Sequence, residues 1–282
     1  MSPLAHRPSL ADTDPGADHV HIQARPNTGL SDVCAVETRG LCKAFGSSRI
    51  LNGVDLRIPE GAICSVMGPS GTGKSVLIKH ILGLFKPDAG EVLVRGRSLN
   101  KMSRSEVIAM RRDIGVMFQD GALFSSMTVY DNVAFPLRQH TDYNDHDVRE
   151  IVMEHLEKVG LAFAANRFPN ELSGGMKKRA GLARGLVLDP GIVLADEPDS
   201  GLDPVRTALL GQLLIERHAE LGGTLLVITH NMMLAKRVSD YVAVLWRGKI
   251  IAAGPAEDMF DSDDPFIRQF LSGESKGPLG MD

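Results

Sequence analysis

The stretch GPSGTGKS, Gly68 to Ser75, constrains this chain more than any other. It fits the pattern GxxxxGK[ST], and its flanks are the ones that pattern requires. The run AICSVM (62–67) before it is apolar apart from Ser65, as a buried parallel strand should be. The run SVLIKHILGL after it sets Val76, Leu77, Ile78, Ile81 and Leu82 at helical spacing. Gly68, Gly71 and Gly73 let backbone N–H groups turn inward around phosphates, with Pro69, Ser70 and Thr72 completing the loop. The following helix adds the positive end of its dipole. Lys74 is expected to reach the β- and γ-phosphates, and the Ser75 hydroxyl to bind Mg2+. A chance glycine turn would lack both flanks. The motif alone reads as a P-loop NTPase, a class that includes kinases, GTPases and helicases.

The rest of the chain narrows the choice. Its 282 residues allow one large domain or two small ones. The net charge of -4 argues against a nucleic-acid partner recognised through a global basic field. Cys34, Cys42 and Cys64 are odd in number and form no CxxC pair, so neither a disulfide framework nor a zinc site is expected. No apolar run approaches the roughly 18 residues of a spanning helix. Residues 1–33 read as a disordered leader without a signal-peptide core. Order is expected to begin near Cys34, in CAVETRG, followed by VDLRIP. Later come IVLAD (192–196), TLLVIT (224–229), YVAVLW (241–246) and KIIAA (249–253), alternating with helices. That alternation predicts a three-layer α/β domain over 34–255, with a helical lobe inserted at about 104–180. A C-terminal helix and tail fill 256–282.

Two acids close the strand IVLAD. Asp196 fits the Mg2+ carboxylate of a P-loop enzyme. Glu197 is then placed to polarise an attacking water. His230 ends TLLVITH on the next strand, and strand ends of a parallel sheet converge on one ligand. A lone His there is usually structural or solvated. Here a γ-phosphate contact is natural. Gln119 follows the strand IGVMF at the entrance to the lobe, where its amide can reach both Mg2+ and the water. Lobe movement would thereby couple to nucleotide state.

Leu172-Ser173-Gly174-Gly175-Met176 opens another helix, MKKRAGLARGLVL. Ser followed by two glycines at a helix start is a second anion site. The order GPSGTGKS, Gln119, LSGGM, LADEP, SGLD (200–203), His230 resembles that of ABC ATPases, over residues 34 to about 255. The resemblance implies a P-loop ABC nucleotide-binding domain that hydrolyses ATP with Mg2+. It also implies a head-to-tail homodimer, in which Ser173, Gly174 and Gly175 of one copy close over ATP held by the other. Asp203 would lie between the two sites, and Phe45 would take the aromatic position that stacks on adenine, where Tyr is usual. Lys177, Lys178 and Arg179 read as the polar face of the signature helix, against an RNA- or lipid-binding patch.

The chain departs from the commonest pattern twice: Met176 stands where Gln is usual, and Asp199 where Thr is common. The stretches FQDGALFSSMTVYDNVAFPLR, SGGMKKRAGLARGLVLDP and DEPDSGLDPVRT resemble the ATPases of Mla- and Mce-type lipid transporters, the Mce ATPase most closely. That implies an integral permease pair, MCE-domain proteins carrying lipid, fatty acid or sterol, and a peripheral place on the cytoplasmic face of the plasma (inner) membrane. Other readings stay open: an amino-acid or metal importer, a regulatory ABC ATPase that moves no cargo, or an ABC protein of translation or DNA repair. The last class usually needs two ATPase cores in one chain. Two surfaces are expected to meet partners. Leu123, Phe124, Met127 and Tyr130 resemble a groove for a permease coupling helix. The tail 273–282, after a helix capped by Asp264 and Pro265, is expected to dock on the partner ATPase, fraying being the plain alternative.

Overall fold

Alternation along two neighbouring strands shows how the layers are held apart. In a computed structural model of the chain, described over residues 33–119, 121–274 and 277–278, β7 and β8 lie side by side and parallel. Ile192, Leu194, Leu226 and Ile228 face one core, while Val193, Ala195, Leu225 and Val227 face another. Successive side chains of a strand point to opposite faces, so a continuous apolar run is what a sheet buried on both sides needs.

Ten strands and nine α-helices follow one another among the described residues. They are β1 (Cys34–Phe45), β2 (Ser48–Pro59), β3 (Ile63–Met67), α1 (Lys74–Ile81), β4 (Ala89–Val94), β5 (Arg97–Ser98), α2 (Arg104–Arg112), β6 (Ile114–Met117), α3 (Val129–His140) and α4 (Asp145–Lys158). Then come α5 (Gly174–Leu186), β7 (Ile192–Asp196), α6 (Pro204–Leu221), β8 (Thr224–Thr229), α7 (Met232–Val238), β9 (Tyr241–Trp246), β10 (Lys249–Pro255), α8 (Ala256–Phe260) and α9 (Pro265–Ser272).

The strands form a six-stranded sheet, β10-β9-β3-β8-β7-β6, and a four-stranded sheet, β2-β1-β4-β5. In the larger sheet β6, β7, β8, β3 and β9 run parallel, with β10 antiparallel at the edge. Helix α1 lies between the two sheets through Leu77, Ile78 and Ile81, each burying side-chain area worth about 1.5–3 kcal/mol. Helices α5, α6 and α7 cover the opposite face through Leu182, Leu186, Leu210, Leu214, Leu234 and Val238.

The lobe has a core of its own, running from Val129 on α3 through α4 to Val187 beside α5. The structure thus draws its start later than residue 104. Between 104 and 119, α2 begins with a Ser103/Glu106 capping box, and β6 pairs with β7 as a strand of the main sheet. Backbone meets backbone where the lobe joins that sheet. A methyl group added to Gly115 on β6 would strike the Gly185 carbonyl of α5, and one added to Gly181 would lie 2.9 Å from Gly121 Cα.

At the C-terminus, Asp264 accepts from the amides of Phe266 (2.9 Å) and Ile267 (3.0 Å), and Pro265 occupies the first turn. Ile267 and Leu271 are buried, while Phe266 and Phe270 pack edge-on against Trp246. Gly273, at φ 73°, ends α9 as a left-handed cap. Residues 1–32, the expected leader save Val33, lie outside the described residues, as do 275–276 and 279–282 of the expected docking tail.

Candidate active site at the head of the six-stranded sheet

The glycine loop leaves β3 at Met67 and enters α1 at Lys74. Gly73 sits at φ 101°, and a methyl there would press on Leu51 and Ile50 of β2 at 2.8–3.1 Å. Only glycine meets both demands. Gly68 passes under the Leu245 carbonyl with no room for a side chain, whereas Gly71, at φ 83°, faces open space. The Thr72 hydroxyl donates to the Pro69 carbonyl at 2.9 Å and closes the turn, with Ser70 exposed at its rim.

Lys74 lies under this loop and is only 4% exposed. Its ammonium donates to the carbonyls of Gly68 (2.8 Å) and Pro69 (3.0 Å), and stands 3.6 Å from Glu197 Oε1. Burial lowers its pKa, and the neighbouring Glu197 charge opposes that fall. The Ser75 hydroxyl donates to Asp196 Oδ1 at 3.2 Å. Burial pushes the Asp196 carboxyl up, against the pull of that hydrogen bond. A hydroxyl and a carboxylate side by side are hard oxygen donors, suited to Mg2+ held jointly by protein and nucleotide. Among the described residues no group of three His, Cys, Asp or Glu is arranged to hold a metal ion.

Glu197 follows β7 directly and takes φ 46°. Its amide donates to the Ile228 carbonyl at 2.8 Å, extending the β7–β8 ladder by one bond. Its carboxylate points at Lys74 and, at 3.5 Å, at His230 Nδ1. The sheet therefore brings Lys74, Ser75, Asp196, Glu197 and His230 together. The Gln119 amide donates to the Ser200 hydroxyl at 3.2 Å, in the loop before Asp203. Phe45 presents a half-exposed ring near the β1–β2 turn, edge-on to Phe85 at 5.6 Å with the Lys43 ammonium 5.6 Å from its centre.

The signature residues form a second group. Ser173 caps α5, accepting from the Met176 amide at 3.3 Å, and it is exposed together with Gly174. A methyl on Gly175 would touch Leu202 at 3.6 Å, so this helix start adjoins the loop that ends at Asp203. Asp203 caps α6 through the Arg206 amide at 2.9 Å. The hydrogen bonds of Ser173 and Asp203 lie within their own helix starts, away from Lys74 and Ser75.

Three side chains take places the sequence reading did not give them. Lys178 is not on a solvated face: it is 5% exposed and donates to the Glu197 carbonyl at 3.3 Å. Arg179 also turns inward, donating to the Val159 carbonyl at 2.8 Å. Asp199 is equally buried and accepts from the Thr229 hydroxyl at 2.9 Å. Its identity marked position 199 as unusual, but nothing in the spacing indicated burial.

A family profile described as "ABC transporter" matches residues 51–200. The chain belongs to the ABC transporter family. It is an ATP-binding, ATP-hydrolysing subunit of that family. It is 51% identical over 260 residues to the "Probable ribonucleotide transport ATP-binding protein mkl" of Mycobacterium tuberculosis, covering 92% of this chain and 72% of that protein. It is 41% identical over 244 residues to the "Intermembrane phospholipid transport system ATP-binding protein MlaF" of Escherichia coli, covering 86% and 91%. Among solved structures, the dimeric ATP-binding cassette MJ0796 bound to ADP and Pi superposes with a TM-score of 0.73 at 33% identity, covering 78% of this chain and 98% of that one. CbiO1 of Clostridium perfringens, part of the ABC transporter complex cbiONQ, gives 0.74 at 28% identity, covering 85% and 96%. Within the described residues, no helix is long and apolar enough to cross a membrane.

Proposed function

We propose that this ABC ATPase powers the movement of lipids (phospholipids, fatty acids or sterols) through an integral permease, together with MCE-domain proteins that carry the lipid. The observation that carries the cargo is the 41% identity to a phospholipid-transport ATPase across 91% of that protein's length. Peripheral attachment to the cytoplasmic face of the inner membrane follows from such a permease. Phe124, 44% exposed at the start of the lobe and 5.0 Å from Phe135, together with Tyr130, supports a docking place for it.

In the ATPase cycle the backbone amides of 68–73 and the Lys74 ammonium would hold the phosphates. Ser75 and Asp196, joined by Gln119, would hold Mg2+, which when bound supplies neutralising charge to the phosphates. Glu197 would accept a proton from the attacking water, and His230 would hold the γ-phosphate beside it. Phe45 would stack on the adenine. Ser173, Gly174, Gly175 and Asp203 are exposed or partly so, which favours their serving the site of a second copy. Dimeric cassettes at 33% identity support that homodimer.

A second reading, ribonucleotide transport, has one observation in its favour: the printed name of relatives that are 51–52% identical. The test is to purify the ATPase with its membrane partners from native membranes and to identify what is bound by mass spectrometry. Co-purifying lipid and MCE-domain proteins are the expected result. Ribonucleotide other than the adenine nucleotide of the ATPase, without lipid, would replace the first reading by the second.

A further inference from the structure

The segment after Glu197 is stitched to the end of β8 at two points. The first is the bond from the Glu197 amide to the Ile228 carbonyl at 2.8 Å. The second is the bond from the Thr229 hydroxyl to Asp199 at 2.9 Å, between side chains that are 0% and 5% exposed. We propose that Asp199, acting through Thr229, is a positioning residue that sets the Glu197 carboxylate against His230. The inference rests on the reading of Glu197 as the group that accepts a proton from the attacking water.

The direction of the contact is determined. Thr229 Oγ1 accepts from the Asn231 amide at 3.0 Å, so its one proton is left for the Asp199 carboxylate. Asp199 lies two residues after Glu197, and Thr229 lies one before His230. The pair thus anchors both chain segments that carry the reacting side chains, whose 3.5 Å approach it flanks. Glu197 needs such anchoring. A non-glycine residue at φ 46° persists only where its surroundings over-determine it. The Ser200 amide (3.1 Å) and the Lys178 ammonium (3.3 Å) hold its carbonyl, and its own amide ties it to β8 at Ile228. The Asp199–Thr229 bond supplies the side-chain tie to that strand. A carboxylate is a stronger acceptor for that hydroxyl than a neutral group would be.

The test is steady-state ATP hydrolysis by the full-length chain with saturating Mg2+, comparing wild type, Asp199→Ala, Thr229→Val, the double variant, Thr229→Ser and Glu197→Gln. A base displaced by about 1 Å loses on the order of 100-fold in rate. Asp199→Ala and Thr229→Val are therefore each expected to lower kcat about 10- to 100-fold, with the KM for ATP within about twofold of wild type. The double variant should be no slower than about threefold below the slower single, because one contact is lost in all three. Thr229→Ser should keep at least a third of the wild-type rate. Glu197→Gln should be nearly inactive. If Asp199→Ala does not fold, Thr229→Val and Thr229→Ser carry the comparison, since both retain most of the side-chain volume. Wild-type kcat in the Asp199 or Thr229 variants, losses that multiply in the double variant, or a loss confined to KM would overturn the proposal while leaving Glu197 in its role. An active Glu197→Gln would overturn both.

Discussion

The Lys74 ammonium and the Glu197 carboxylate stand 3.6 Å apart, one at the first turn of α1 and the other just beyond β7. A phosphate group entering the loop needs the lysine, and an attacking water needs the carboxylate, so the two residues separate binding from chemistry. Glu197→Gln should bind ATP with affinity within about threefold of wild type and hydrolyse it about 100-fold or more slowly, as loss of a general base predicts. Lys74→Ala should fail already at nucleotide binding. Equilibrium binding of a fluorescent ATP analogue and a phosphate-release assay distinguish the two; turnover by Glu197→Gln within twofold of wild type would remove its assigned role.

Ser173 is exposed at the start of α5, with its hydrogen bond made inside that helix start, so catalysis should need two copies. Lys74→Ala and Ser173→Arg are each expected to be inactive alone. Mixed, they can form a dimer with one intact composite site, and up to about a quarter of wild-type activity should return, since half of a statistical mixture is hetero-dimeric. An inactive mixture, with mixed dimers demonstrated by a tag on one partner, would refute the shared site.

Phe124 packs on Phe135 with the Arg184 guanidinium 5.8 Å from its ring, and Tyr130, packed on the lobe core, has Arg138 5.9 Å from its own. Replacing either aromatic by Glu should leave thermal stability nearly unchanged, as expected for a partly exposed site. It should also reduce co-purification with the membrane partner at least about fivefold. Retained co-purification in the double variant would exclude this surface.

His80 and His155 are buried, and burial lowers both pKa values below 6.5. Around His155, Asp189 and Glu154 act in the opposite direction, while Arg217 and Lys158 add to the lowering. The unfolded chain therefore binds protons that the folded chain refuses, and stability is lost as pH falls below about 6.5. Urea unfolding at pH 7.5 and 5.5 should show a smaller acid loss in His155→Leu than in wild type. An equal loss in the two proteins would assign the acid sensitivity elsewhere.

Most of the site was legible because its residues are close in sequence to strand ends. GPSGTGKS lies between an apolar strand and a helix, and Asp196, Glu197 and His230 stand at or just beyond the ends of strands whose continuous apolar runs are plain. The lobe boundary was less legible, since α2 is polar and β6 has only four residues before Phe118 and Gln119. Lys178 and Asp199 were illegible for another reason. Each is polar by composition and is buried only because a segment distant in sequence brings a partner: β7 carries Glu197 to the lysine, and β8 carries Thr229 to the aspartate. No local periodicity records such a meeting.

The glycine seam between β6 and α5 has a mechanical consequence. With Gly185 pressed against the Val116 carbonyl and Gly115 against Gly185, this end of α5 meets β6 backbone to backbone. The other end carries Ser173, about 18 Å away at 1.5 Å per residue. The seam fixes the base of α5 where the sheet and the lobe meet, and the signature serine sits at its far tip. At that length, a tilt of about 5° about the seam would displace the signature serine by roughly 1.5 Å, half the length of a hydrogen bond.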